Sequence, residues 1–288
     1  MQARIAGWIE ALSAYRHPRV AAMVFLGFSA GLPFPLVFAT LSALLRDYGI
    51  DKATIGFFAW IGLAYSLKVL WAPVVDRLQL PILGRILGQR RSWMLVAQIG
   101  VAVGLTVVAR LDPAADIGLF AWIILAVAVS SATQDITVDA WRIEAVEERR
   151  QGAMAAAYNL GYRAAVLVAV AGPLYIADAF DWTTAYLWMA GCMLVGIVTT
   201  LLIAEPTHDR DTLAAEIESR IKGYVGSHPL RWGPLNRLAA WFGSAVVAPF
   251  AEFFKRNGSF ALVLLALIMT FNISDRVLGI MANPFYLD

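Results

Sequence analysis

Six stretches of this chain, residues 20–45, 55–75, 93–109, 117–140, 153–177 and 184–204, are each apolar and long enough to cross a bilayer, and a seventh covers 259–283. Inside lipid, every backbone amide and carbonyl must find its partner within the protein, so open segments of this length are confined to helices. The expected fold is therefore an all-α polytopic membrane protein. With 60% hydrophobic and only 15% charged residues, the chain has too little polar surface for a soluble domain of its size. Its one cysteine, Cys192, falls in an apolar span, which excludes a disulfide framework.

Charge placement sets the expected orientation. The amino terminus and the short loops after the second and fourth spans carry Arg4, Arg16, Arg19, Arg77, Arg85, Arg90, Arg91, Arg142, Arg149 and Arg150. The opposite loops hold only Arg46, Lys52 and Arg110, so the amino terminus is expected in the cytoplasm. Residues 1–19 read as a cytoplasmic interfacial segment and not as a signal peptide. Residues 20–204 are then a six-helix bundle, and 205–258 a cytoplasmic linker whose amphipathic, aromatic part at 235–254 is expected to lie on the membrane surface. Residues 259–288 open with the seventh span. This layout resembles a major facilitator carrier cut short, with the rest of its second, carboxy-terminal half expected beyond Asp288.

Against this apolar background, the ionisable groups inside the spans are conspicuous. Asp135 and Asp139 lie one turn apart in the fourth span and share a face. If that span ends near Trp141, Asp135 sits roughly 9 Å below the interface, where an unpartnered carboxylate costs a few kcal/mol. Lys68 in the second span lies at a similar depth, and either snorkels to the headgroups or pairs with Asp135 or Asp139. Arg163, near the middle of the fifth span, is too deep for easy snorkelling; it is expected to contact a substrate carboxylate or to pair with Asp135, facing a watery passage in either case. Asp275 and Arg276 lie in the seventh span with Asn272 one turn earlier. Three cations against three aspartates suit a neutralised network in which protonating one acid frees a cation for another anion, with Asp135 the expected proton carrier.

Gly31, Pro33 and Pro35 break the first span, which lipid-facing backbone does not tolerate but a cavity wall does. Between spans two and three, Asp76 and Arg77 precede GRILGQRR, a pattern that resembles the Asp-Arg loop signature of the major facilitator superfamily. An acid and several guanidiniums there can lock and release helix ends, giving Asp76, Arg77, Arg90, Arg91 and, from the next such loop, Arg142 as a cytoplasmic gate.

The stretches GFSAGLPFPLV, TIGFFAWIGLAYSLKVLWAPVVDR, SATQDITVDAWRIE and NLGYR together resemble the AmpG-type muropeptide permeases, over roughly residues 27–206. The resemblance implies proton-coupled import of N-acetylglucosaminyl-anhydromuramyl peptides through the bacterial inner membrane, for cell-wall recycling. The intramembrane polar groups then supply the candidates: Asp135, Asp139 and Asp275 for proton coupling, and Arg163, Lys68, Gln134, Asn159 and Asn272 for substrate binding. The Asp-Arg loop is longer here than the family pattern, because LQLPIL and a second glycine are inserted. A carrier of another anionic or amphipathic solute (a peptide, a siderophore, a coenzyme-A ester) and a non-transporting membrane module are the alternatives. The three histidines, His17, His208 and His228, are scattered through polar segments, and no nucleophile elbow, phosphate loop or zinc spacing occurs. Neither an enzyme, a metal or other cofactor, nor a nucleic-acid partner is expected; the partners are lipid, protons, the muropeptide and the second half of the carrier.

Overall fold

The computed structural model describes residues 17–206, Tyr15, and short stretches between 254 and 270. The chain divides into one unit up to Asp209 and a second from Arg210. Six helices of the first unit are long and apolar enough to cross a membrane: α1 (Pro18–Asp47), α2 (Lys52–Leu70), α3 (Gln89–Val108), α4 (Ile117–Glu144), α5 (Glu148–Ala179) and α6 (Trp182–Leu202). In the second unit, residues 260–267 are helical. The linker helix expected at 235–254 and most of the seventh span, with Asn272, Asp275 and Arg276, fall outside the described residues.

Helix starts follow local capping chemistry. The even-numbered helices each begin after an aspartate, Asp51, Asp116 or Asp181, whose carboxylate accepts a backbone N–H from the first turn. The Thr54 hydroxyl and backbone hold the Asp51 carboxyl below its ordinary range, and Thr184 does the same for Asp181. At the other end α4 runs to Glu144, four residues past the expected limit of the span. Its 28 residues extend about 42 Å, more than the roughly 30 Å hydrocarbon core, so one end stands clear of the lipid tails.

Small residues decide which helices meet. On α5, Ala157, Gly161, Ala165 and Ala169 are buried at four-residue spacing and form a smooth stripe against α1. A Cβ added at Gly161 would stand 1.8 Å from the Val24 carbonyl oxygen, and one at Gly27 would stand 2.3 Å from that of Tyr158. The α3–α4 crossing uses Gly104 against Val127 and Gly100 against Ser130 in the same way. In α6, Gly196 lies against Ser29 and Gln98.

The expected break in α1 is present and sheltered. The helix is interrupted at Leu32 and again at Phe38, where φ is −119° and ψ −81°. Pro33, Pro35, Leu36 and Val37 are buried, and the Tyr186 hydroxyl donates to the Leu36 carbonyl at 3.0 Å, so the irregular backbone is satisfied by protein. Burial also separates the helices into centre and flanks: 67% of the most apolar window of α1 is buried, against 17% for α2 and 22% for α5.

Candidate functional site

A charged contact within the spans joins α2 to α4. Residues Lys68–Leu70 of α2 wind as a 3-10 turn, and Lys68 Nζ lies 3.6 Å from Asp135 Oδ2. Of the two roles expected for Lys68, the structure therefore shows the internal pair. Both side chains keep some access to the outside, 35% for Lys68 and 20% for Asp135, so the pair is recessed but not sealed. The other oxygen, Asp135 Oδ1, is buried without a hydrogen-bond partner.

Tyrosines surround this pair. The Asp135 charge reaches Tyr65 from α2 and Tyr158 and Tyr162 from α5, the last two with ring centroids 5.9 Å apart. One turn along α4, Asp139 pairs with Arg142 at 3.1 Å, and the Arg142 guanidinium lies over the Tyr158 ring, 5.6 Å from its centroid. Arg142, expected from its loop as part of the cytoplasmic gate, thus packs against Asp139 and Tyr158.

Three other expected site residues lie elsewhere. Gln134 points about 100° away from Asp135 and is fully buried, donating from Nε2 to Ser29 Oγ at 3.0 Å. It belongs to an internal polar seam with Gln98 and Thr200, which bond at 2.9 Å. Arg163 is exposed on α5, and among the described residues no carboxylate comes within ion-pair distance of it. It lies about 100° round the helix from Tyr162 and about 40° from Asn159, which is also exposed. The two share an exposed face of α5, with Arg163 close enough to Tyr162 for its charge to be felt there.

A second charged cluster closes the end of the bundle from which α3 starts. Arg90, only 8% exposed, bonds Asp76 through Nη1 and Glu144 through Nη2 at 2.6 Å and Nε at 3.2 Å. The Glu205 carboxylate accepts from the Arg90 and Arg91 backbone amides at 2.8 and 3.1 Å, capping α3. Gly88, at φ 88°, makes room for it: a Cβ there would stand 2.4 Å from Glu205 Cγ. The Arg91 side chain reaches the Thr200 and Leu201 carbonyls at the end of α6. Arg77 is exposed at the end of the short helix Ala72–Arg77. Sequence reasoning chose Asp76, Arg90 and Arg91 but missed Glu144 and Glu205. The signal available for both was an acid just past the end of a span, on the side where the loops are rich in arginine.

Elsewhere, apolar grooves of about 950 and 510 Å³ run along α1 beside α6 and beside α5. Neither adjoins Asp135, and their linings, such as Phe25, Val195 and Val198, suit lipid tails. Among the described residues, no three His, Cys, Asp or Glu side chains gather in a way that could hold a metal ion.

Six helices long and apolar enough to cross a membrane, the first of them broken, make this an all-α polytopic membrane protein. Residues 20–287 match the family model of the Major Facilitator Superfamily, and the chain belongs to that family. It is 35% identical over 258 residues to the anhydromuropeptide permease of Escherichia coli strain K12, which covers 89% of this chain and 46% of that protein. It is 30% identical over 276 residues to the putative transporter AmpG 4 of Rickettsia conorii, covering 95% of this chain and 61% of that one. The AmpG-type resemblance seen in the sequence thus extends over most of the chain, and the chain spans about half the length of these curated relatives.

Proposed function

We propose that this chain forms the first bundle, the linker and the opening of the second bundle of a proton-coupled importer of anhydromuropeptides. The observation that carries the proposal is the recessed Lys68–Asp135 pair, with one carboxylate oxygen left without a partner. A charged pair kept at depth is costly unless its exchange is used. When Asp135 takes up a proton its hold on Lys68 is lost, and the ammonium becomes available to a carboxylate of the peptide part of the ligand. Release of the proton restores the pair and expels the acid. The 3.1 Å Asp139–Arg142 pair, one turn away, offers a second acid–base couple in the same recess. Arg163 and Asn159, both exposed on α5, are proposed to meet ligand or the second bundle, and Asp275 and Asn272 to contribute from the seventh span. The protein would bind and release its ligand without covalent chemistry.

By the excess of arginine in the short segments, the Arg90 cluster lies on the cytoplasmic side of the bacterial inner membrane. There the Asp76–Arg90–Glu144 contacts act as the gate, and their parting lets ligand out to the cytoplasm. The test is uptake of labelled anhydromuropeptide into cells lacking any other permease for it, with the protein expressed from its complete gene. Asp135→Asn is expected to abolish uptake driven by an imposed pH gradient while leaving binding intact. Full-rate, gradient-driven uptake by that variant would refute the proton-coupling role.

A further inference from the structure

The interruption of α1 turns one side chain outward. Pro33, Pro35, Leu36 and Val37 are buried around it, whereas Phe34 is 42% exposed. Its ring is held from two sides, by Phe38 with centroids 4.8 Å apart and by Tyr65 edge-on at 5.3 Å. Phe38 in turn lies over Gly62 of α2, where an added Cβ would stand 3.5 Å from its ring. Phe34 is therefore a braced aromatic surface and not a loose side chain. Tyr65 connects that surface to the charged pair: it precedes Lys68 by one turn and feels the charge of Asp135, while its hydroxyl is buried on the side of Ser131.

We propose that Phe34, braced by Phe38 and Tyr65, is a stacking subsite for a pyranose ring beside the Lys68–Asp135 pair. A pyranose offers an apolar C–H face to an aromatic ring and hydroxyl or acetamido groups at its rim. Stacked on Phe34, it extends an acidic substituent toward Lys68. A lipid chain would use Phe34 but leave Lys68 unmatched, and a small ionic solute would use Lys68 but not the ring. Braced aromatic area with a few convergent polar groups is how ligand sites combine affinity with orientation. This subsite rests on the importer proposal and assigns the sugar end of that ligand to α1 and α2.

The test uses proteoliposomes containing the protein expressed from its complete gene, with labelled anhydromuropeptide as ligand and the peptide-free disaccharide as competitor. Phe34→Ala is expected to weaken disaccharide competition, and to raise KM, about tenfold with kcat retained. Phe34→Tyr should restore both, and Phe34→Leu, which keeps apolar bulk without a ring, should not. Unchanged competition in Phe34→Ala, or wild-type behaviour in Phe34→Leu, would overturn the subsite while leaving the importer proposal standing. Loss of kcat and melting temperature in Phe34→Ala without a change in disaccharide affinity would assign the ring to packing and also overturn it. Folded wild-type protein that takes up no anhydromuropeptide would overturn the importer proposal, and the subsite with it.

Discussion

Replacing Gly161 with alanine tests the packing that holds the site in place. The new Cβ would sit 1.8 Å from the Val24 carbonyl oxygen and 2.8 Å from the Phe28 amide nitrogen, both backbone atoms that no rotamer change can move. An ordinary carbon–oxygen contact needs about 3.3 Å, so α1 and α5 must part by about 1.5 Å. Alanine is intrinsically the better helix former by about 1 kcal/mol, whereas overpacking of this kind costs about 1–3 kcal/mol and sometimes more. The clash is with backbone, so the upper part of that range applies and a net loss of about 2 kcal/mol is expected. Gly152 of the same helix supplies the control: nothing lies within 4 Å of its added Cβ, so Gly152→Ala should be neutral or slightly stabilising. The assay is thermal unfolding of purified protein in detergent, read by tryptophan fluorescence. Equal melting of Gly161→Ala and wild type would refute the close α1–α5 contact, and with it the placement of Tyr158 and Tyr162 beside Asp135.

Three further outcomes are expected. Lys68→Gln and Asp135→Asn should each destabilise by about 1–3 kcal/mol, between exposed and buried pairs, and the double variant by less than the sum; strict additivity in a double-mutant cycle would show that the two do not interact. Arg90→Ala removes the cation shared by Asp76 and Glu144 and should cost about 3 kcal/mol, with faster protease cleavage between residues 78 and 88. Arg90→Lys should fail to rescue it, because one ammonium cannot satisfy three separate bonds; cleavage at the wild-type rate in either variant would contradict the cluster. At Asp51 and Asp181 the folded carboxyl titrates below its unfolded value of about 3.9, so its contribution is complete above that value and lost as pH falls through the lower, folded one. Asp181→Asn should therefore flatten the acid dependence of helix content by circular dichroism between about pH 5 and 2, and an unchanged acid transition would argue against the cap.

Much of this protein is local information. The spans, their helical state and the shared face of Asp135 and Asp139 follow from hydropathy and from 3.6 residues per turn, which depend only on neighbours along the chain. The Asp51, Asp116 and Asp181 caps are equally local, and so is the four-residue spacing of Ala157, Gly161, Ala165 and Ala169, a signal present in the sequence but not used.

The choice of partners was decided only in three dimensions. Lys68 and Arg163 were both candidates for Asp135, and the packing of α2 on α4 put Lys68 Nζ 3.6 Å from the carboxylate while Arg163 stays exposed on α5. The same geometry put Gln134 on Ser29 instead of beside its neighbour Asp135, and brought Glu144 and Glu205, distant in sequence, to Arg90. A helix pattern gives the angle between residues on one helix, but contact across helices depends on how two helices are turned toward each other. Close packing of side chains fixes that angle, and no single stretch of sequence contains it.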